Sequence, residues 1–525
     1  MRVILAGTFQ DLRYSLRALR QNLLYATIGV LSLSLGIGAN IAVFSLANAI
    51  LFRPLAVLEP DRLVALYNRN IHEPERYSSS SLPDFRYFRE HTQTLEGLAA
   101  YVRVPFPVRL GEGAERISGE LVSDGYFQIL GVQAALGRVF LEEEGKTPAS
   151  SAVAVISDSL WRETFGADPS VTGRAIQVGT RIFTIVGVLP RDFRSVLLDW
   201  GEPPDLWIPL AAYREAVPVF ANVEPEQNRG MHWLILAGRL KADRTATEAQ
   251  AELSTLLRQL PPPESEAAHW EPFVVPLQQA RFWIGKRESV ILLLASLAGI
   301  AGLVLLIALL NLGNLTLART AAREKEFGMR LALGAGRGQL IRLLIAENTL
   351  LSALASIGSA AVAFWMLRLL LSFGRPFAFQ TSFDMQPDLR VVGFSVLLLF
   401  AAGSVLSLLA ARPLWRLDVN DALKNTVGGP IPRFDLRRTL VVAQVALSTV
   451  LVAATGQFVR TLENARSDGR TPGAGNVLLA KLDLALPQYE AEQGRAALTR
   501  MLEHVRSIAG VRSAGLVWIV PLSVL

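Results

Sequence analysis

Five histidines, His72, His91, His232, His269 and His504, are the side chains best suited to bind a metal or move a proton near neutrality. They are scattered, and no two stand at the i, i+4 spacing that puts a pair of ligands on one helix face. The chain has no cysteine, which excludes disulfides, thiolate zinc sites, iron–sulfur clusters and a thiol nucleophile. No Gly-x-Ser-x-Gly turn occurs to raise a nucleophilic serine. Gly145-Lys146-Thr147 is similar to the end of a phosphate-binding loop, but the glycine required five residues earlier is Phe140. Glu142, Glu143 and Glu144 would also repel a triphosphate there. Gly334, Gly336 and Gly338 form a second glycine-rich stretch, without the preceding β-strand that a nucleotide site needs. No catalytic residue, cofactor or metal site is therefore expected, and no enzyme activity of the chain's own.

What remains is chemistry of position. Arg319 to Ala335 holds Arg323, Lys325, Glu326 and Arg330 on a polar side, with Phe327 and Leu331 sharing an apolar face. Such a segment can lie along a membrane interface or dock on a cytoplasmic partner; it can equally be a basic loop that only holds topology. Asn311 and Asn314 precede it, and amides in an apolar run join neighbouring helices or find water. Ser32, Gly36 and Asn40 recur every four residues in another apolar run, a narrow strip that lets a second helix come close.

The elements that must position these residues are membrane spans. Of 525 residues 51% are hydrophobic and 19% charged, against about 25% charged in a soluble domain. Charge-poor runs lie between Arg20 and Arg53, Glu288 and Arg319, Arg390 and Arg412, and Arg438 and Arg460. A further run covers residues 348–373, with Arg368 near its far end. Each suffices for the ~20 apolar residues of a crossing. Ala47-Asn48-Ala49 resembles a signal-cleavage site, but the apolar run begins some two dozen residues upstream, as in a retained span. Basic residues crowd the N-terminal flank (Arg2, Arg13, Arg17, Arg20) and the flanks after the second and fourth runs. That bias predicts a cytoplasmic N-terminus, and it places residues 53–288 and those after Arg460 outside. Clusters abutting spans do not form a nucleic-acid surface, so no nucleic-acid partner is expected.

Residues 53–288 read as a folded α+β domain. Strand-like runs fall at 63–67, 99–110, 116–122, 151–156, 181–189 and 233–240, separated by Gly, Pro and Asp. One helix is expected after Ser157, with Leu160, Trp161 and Phe165 on a stripe. Another is expected after Thr245, where Glu248 completes a capping box. Its Ala249, Leu253, Leu256, Leu257 and Leu260 line one face. The Trp and Phe side chains are expected in its core.

Several motifs together resemble the MacB/FtsX class of ABC-transporter permeases, and within it the duplicated orphan permeases (the ADOP family). They are Leu35-Gly36-Ile37-Gly38-Ala39-Asn40 with Phe44-Ser45, Leu51-Phe52-Arg53-Pro54-Leu55, and Pro60-Asp61-Arg62-Leu63-Val64. Leu130-Gly131-Val132, Leu136-Gly137-Arg138 and Phe165-Gly166-Ala167-Asp168-Pro169 continue the likeness through the outside domain. Asn311-Leu312-Gly313-Asn314 and Glu326-Phe327-Gly328-Met329-Arg330-Leu331-Ala332-Leu333-Gly334-Ala335 fall at that class's coupling region. Val441-Val442-Ala443-Gln444 matches the start of the second copy in duplicated members. Phe327, where Ile is usual, and Gly456-Gln457 depart from the pattern.

The resemblance implies a membrane α-helical fold of about five transmembrane helices with a large α+β extracytoplasmic MacB-like core domain. The expected order is a cytoplasmic segment 1–20, a span 21–52, the core domain 53–288, a span 289–318 and a cytoplasmic coupling segment 319–347. Two spans within 348–412 follow, completing an FtsX-like permease domain over 289–424. A cytoplasmic linker 413–438, a span 439–460 and the opening of a second outside domain, 461–525, complete the chain. In that last part strand, helix and strand are expected at 477–484, 492–509 and 511–517, and a family member would continue beyond them.

Function is implied likewise: a multi-pass inner-membrane permease that couples a separate cytoplasmic ABC ATPase to movements of its outside domain, for efflux or for lipid or protein handling. Arg323, Glu326, Phe327, Gly328, Arg330, Leu333, Gly334 and Ala335 form the implied coupling segment. Ser32, Gly36, Asn40, Asn311 and Asn314 are the expected helix-packing residues. Membrane lipids, an extracytoplasmic protein and a second copy (or an internal pseudo-dimer in a full-length form) are the remaining expected partners. The alternative is a membrane-anchored scaffold or sensor that binds an outside partner without transport. A secondary transporter would need intramembrane charges, and Arg368 alone lies inside an apolar run, near enough to its end to snorkel.

Overall fold

The computed structural model describes residues 14, 16–17, 19–52, 55–110, 113–193, 195–196, 203–217, 220, 223–261, 270–281, 283–334, 336–373, 388–415, 436–468 and 491–516. They form two compact units, a helical one and a sheet-based head. Of the segments expected from sequence, most of 1–20, nearly all of the linker 413–438 and the strand at 477–484 lie outside the described residues. The helix expected at 492–509 is present as Ala491–Ser507. The strand expected at 511–517 is not formed over 511–516, which are irregular.

In the helical unit five helices are long and apolar enough to cross a membrane: Leu23–Phe52, Arg287–Ala322, Arg337–Leu369, Leu389–Leu409 and Arg438–Gln457. They are called spans one to five below. Span three is one helix from Arg337 to Phe373, so its first turns take up residues expected in the cytoplasmic segment. Span one packs with spans two, three and four around Leu33, Ile37, Leu312, Leu351, Ala355, Ala402 and Leu406. Registration of the small residues fixes the directions. A Cβ on Gly36 would lie 3.0 Å from the backbone of Leu305, and Asn40 donates to the carbonyl of Ala301 at 2.7 Å, so spans one and two run antiparallel. Ser34 donates to Ala355 O at 3.1 Å, and a Cβ on Gly38 would lie 2.7 Å from Val362, so spans one and three run parallel. Phe44 stacks on Phe394 at 4.1 Å while Asn48 bonds Asp388, so span four returns antiparallel to span one. Span five leaves Val441, Val442, Val445, Val450 and Val452 exposed.

Span one does not end as an α-helix. Residues Asn48–Phe52 form a π-helical turn, a wider coil that costs hydrogen-bond geometry and is found mostly at functional sites. Asn48 is buried there and donates to the carboxylate of Asp388 at 2.5 Å, just before span four.

The head is built on one mixed sheet of eleven strands. In chain order its elements are β1 (Leu63–Asn70), β2 (Tyr77–Ser78), α1 (Leu82–His91), β3 (Leu95–Leu110), β4 (Gly113–Val122), α2 (Tyr126–Leu130), β5 (Leu136–Gly137) and β6 (Val153–Ile156). They continue with α3 (Asp158–Phe165), β7 (Ala175–Val178), β8 (Arg181–Val188), β9 (Leu206–Pro209), α4 (Tyr213–Ala216), β10 (Ile235–Leu240), α5 (Ala246–Gln259) and β11 (Trp270–Pro276). The spatial order is β11-β1-β10-β3-β4-β9-β6-β8-β5, with β2 beside β1, and β7 beside β3 and β8. Neighbours pair antiparallel except β4 with β9 and β6 with β8. All six expected strands are present. The five others are short or reached only through the fold.

Both sheet faces are covered, which is why β1 and β10 read as nearly continuous apolar runs. In β1, Val64 and Leu66 enter one core with α1, α3 and α5, while Leu63, Ala65 and Tyr67 enter the other with α2. The helix starts follow from their caps: Ser157 accepts Leu160 N at 3.0 Å, and Thr245 and Glu248 cap each other reciprocally. The expected aromatic core holds, with Trp207, Phe106, Phe127 and Phe183 fully buried.

One carboxylate sits deep in this core. Glu120 of β4 lies opposite Arg103 of β3 and is bonded by its guanidinium at 3.2 Å. It also accepts from Trp207 Nε1 at 2.9 Å, Tyr126 Oη at 3.4 Å and Ser195 Oγ at 2.5 Å. Burial, then the nearby carboxylate, push the Tyr126 phenol well above its usual range, so it remains a donor. Removing one partner of a buried pair leaves the other charge uncompensated, at a cost of about 3–5 kcal/mol. Glu120→Gln should therefore destabilise the head of the full-length chain by about 3 kcal/mol. Urea unfolding followed by tryptophan emission measures it, and an unchanged midpoint would show that the charge is dispensable.

Candidate functional site

The residues between spans two and three fold as a helix held at a fixed angle to both. Span two stops at Ala322, Arg323 leaves helical geometry, and a separate helix runs Glu324–Ala332. Gly334 (φ +94°) closes it in the left-handed conformation that glycine adopts at little cost. Span three then begins at Arg337.

Apolar packing holds one face of this short helix. Phe327 is fully buried against Leu340 and Leu344 of span three, with Leu331 and Ile341 around them. Sequence reasoning put Phe327 on a face offered to lipid or a partner. It fills an internal seam instead, and its role is to seat the helix. Gly328 is buried beside it, whereas Met329 is 54% and Leu333 88% exposed. Met329 and Leu333, four residues apart, are the apolar groups that this helix presents outward. Gly334 is exposed, and Ala335 lies outside the described residues.

Charge holds the other face. Arg323 bonds Glu326 through Nε at 2.9 Å and Glu347 through Nη1 at 3.0 Å, with its guanidinium 5.0 Å above the Phe327 ring. Glu347 also pairs with Arg319 of span two at 3.4 Å, and its side chain is 7% exposed. One buried carboxylate of span three thus joins two arginines, one from the end of span two and one from the hinge. Arg319 lies over the ring of Tyr25 in span one at 4.7 Å, and the Tyr25 hydroxyl pairs with Thr316 at 2.9 Å. A cavity of about 10 Å³ between Tyr25, Arg319, Arg323 and Glu347 has room for roughly one water molecule.

The outer side of the helix meets the N-terminal segment. Arg330 bonds Glu326 at 2.7 Å and donates to the Tyr14 hydroxyl at 2.7 Å, which donates to Glu326 at 3.1 Å. The hydrogen bond from Arg323 holds the Glu326 carboxyl below its ordinary value; partial burial opposes this, and Tyr14 and Arg330 assist.

The expected packing residues divide. Gly36 and Asn40 meet span two, whereas Ser32 is half-buried beside that contact. Asn314 reaches Gln444 of span five at 3.4 Å, and Asn311 is half-buried one turn earlier. Sequence reasoning missed Glu347, Tyr25 and the second strip, Ser34 and Gly38. The available signal for Glu347 was a lone acid heading an apolar run, opposite arginines spaced four apart.

Two outcomes follow for the full-length chain. Glu347→Gln should weaken the seat of helix Glu324–Ala332 by about 3 kcal/mol, because two arginines lose their shared counter-charge. Amide hydrogen exchange in that helix would rise while exchange in the head stays unchanged. The Glu326 carboxyl is depressed in the folded state, so its contribution is complete above the ordinary glutamate range and is lost as pH falls through the folded value. Protection of the helix amides, measured against their intrinsic exchange rates at each pH, should therefore fall on acidification below about pH 4.5, and Glu326→Gln should flatten that dependence. A wild-type helix indifferent to pH would remove Glu326 from the lock.

Residues 27–256 match the family model described as the MacB-like periplasmic core domain, and residues 298–419 match that of the FtsX-like permease C-terminal domain. The macrolide export ATP-binding/permease protein MacB 1 of Aeromonas hydrophila is 25% identical over 346 residues, covering 64% of this chain and 48% of that protein. MacB of Vibrio parahaemolyticus is 25% identical over 322 residues, 60% of this chain and 44% of that protein. The chain thus spans about half the length of the curated relatives it matches. The periplasmic region of MacB from Actinobacillus actinomycetemcomitans aligns with 42% of this chain and 91% of its own at 14% identity and a TM-score of 0.31. Core domain first and permease domain second, on the head and on the spans that follow it, the chain is a multi-pass membrane protein of the MacB/FtsX permease type.

Proposed function

We propose that this chain is the permease subunit of an ABC transporter, worked by a separate ATPase that docks on helix Glu324–Ala332 from the cytoplasm. The observation that carries the reading is the double seat of that helix. Phe327 locks it into span three, and Arg323 with Glu347 locks it to spans two and three together. A displacement applied at Met329 and Leu333 would pass into the spans instead of being absorbed by a loose loop. Spans one and two flank residues 54–288 in sequence, so the sheet-bearing segment is tied to the bundle at both of its ends. The basic flanks support a cytoplasmic N-terminus in the inner membrane, with the head on the far side.

The relatives' names join ATP binding to a permease. The residues of this chain match the permease part, and the reading gives the ATP-binding part to a separate subunit. The Gln444 region of span five supports membership of the duplicated orphan branch, in which a second set of spans would pair with the first. The cargo, whether a small molecule, lipid or protein, is handled at the head.

The test is reconstitution of the chain with the ATP-binding protein encoded beside it. The permease should raise ATP turnover. Met329→Asp and Leu333→Asp, both at exposed positions, should reduce that stimulation at least about tenfold, a docking loss of ~1.4 kcal/mol, without lowering the thermal midpoint of the permease. Full stimulation by both variants would move the docking surface elsewhere.

A further inference from the structure

Arg368 is the one charge buried in sequence among the apolar residues of span three, and its surroundings define what it binds. The exposed face of that helix runs through Leu354, Ile357, Ala361, Phe364 and Trp365, and then Arg368. That is a stripe at helical spacing, so the guanidinium points where lipid chains point and not into the bundle. Among the described residues it forms no ion pair; the ring face of Phe364 lies 4.5 Å from its guanidinium carbon. A cation on a lipid-facing surface without a counter-charge needs an anion from the membrane itself.

Depth says which anion. Glu347 marks one boundary, where it binds Arg319 and Arg323. Arg368 lies about 31 Å further along the helix at ~1.5 Å per residue, which is the thickness of a hydrocarbon core, about 30 Å. The second boundary has its own marker. Span three runs parallel to span one, with Met366 packed beside Ala39 and Val43, one to two turns short of the polar pair Asn48–Asp388. In this structure the guanidinium rests over the ring of Phe364, one turn back along the helix, and an arginine side chain is long enough to swing from there to headgroup level. Trp365, 69% exposed, stands beside it as tryptophans do at membrane interfaces.

We propose that Arg368, backed by Phe364 and flanked by Trp365, holds the phosphodiester of a glycerophospholipid in the leaflet nearer the Asn48 end of span one. The planar guanidinium offers two parallel N–H donors to two phosphate oxygens, a match that lysine cannot reproduce. Phe364 fixes the plane of the fork beforehand. A bound lipid would set the depth of span three, the span that carries both Glu347 and the seat of Phe327.

Native mass spectrometry of the full-length chain, titrated with dioleoylphosphatidylglycerol in detergent, tests this. Arg368→Gln should weaken the first lipid-binding event about tenfold, and Arg368→Lys by an intermediate factor. Neither should alter binding of dioleoylglycerol, which has the same chains without phosphate. Trp365→Leu, which keeps the charge, should weaken the phospholipid by a smaller factor, and Ile357→Ala on the same face should change nothing. Equal phospholipid affinity in wild type and Arg368→Gln would overturn the proposal. So would an equal loss for both lipids, which marks a general apolar annulus. Competition by millimolar inorganic phosphate would replace the lipid site by a free-anion site. Should Arg368→Gln fail to fold, Trp365→Leu and the two wild-type titrations still decide: equal wild-type affinity for the two lipids refutes phosphate recognition.

Discussion

A single carboxylate governs the end of the bundle where spans two and three meet. Glu347 is almost wholly buried and is paired with two arginines from different elements, and each of those arginines rests on an aromatic ring. Arg319, Arg323 and Arg330 are paired with Glu326 and Glu347, so each carboxylate of the cluster faces more than one guanidinium. The consequence is mechanical. Span two, span three and the helix between them meet at one point, while Tyr25 brings span one to the same place. Any change in the angle of the short helix must break a bond at Glu347 or carry a span with it.

Close approach does along the bundle what charge does at its end. Lipid chains are as apolar as leucine, so spans associate through packing and hydrogen bonds and not through burial from water. Span one answers with two strips of small and polar residues on two faces. Gly36 and Asn40 receive span two, whereas Ser34 and Gly38 receive span three. Asn40 donates to a backbone carbonyl of another helix as well as to its own turn, which fixes register more sharply than packing alone. Span one is thereby the piece against which the others are indexed.

The parts legible in sequence are those whose signal is local. Apolar runs gave the spans, the Thr245–Glu248 box gave a helix start, and β-rich runs bounded by Gly, Pro and Asp gave six of the strands. β2, β5, β7 and β9, of two to four residues, escaped because they are too short to show a period, and the seven-residue β11 escaped as well. The strip Ser32–Gly36–Asn40 was visible as a spacing, but the neighbour it faces is a tertiary fact. Phe327 was read as surface because amphipathicity shows an apolar face without saying what covers it. Glu120 and Glu347 were hardest, since each is defined by partners distant in sequence and a lone acid carries no periodicity.

The two ends of the bundle differ in a way that bears on how movement could pass through it. At the Glu347 end the helices are tied by a network in which one acceptor serves several donors: Glu326 alone takes Arg323, Arg330 and Tyr14. At the other end span one abandons α-helical geometry over Asn48–Phe52 and is held by fewer, more directional contacts: the Asn48–Asp388 bond, a bond from Arg390 to the carbonyl of Phe52, and the Phe44–Phe394 stack. A π-turn is already strained relative to an α-helix, so a shift of span one relative to span four can be taken up there by rewinding a single turn. Span two has no such turn, being α-helical without interruption from Arg287 to Ala322. Spans one and two therefore differ in build: span one finishes in a π-turn, whereas span two is an uninterrupted α-helix.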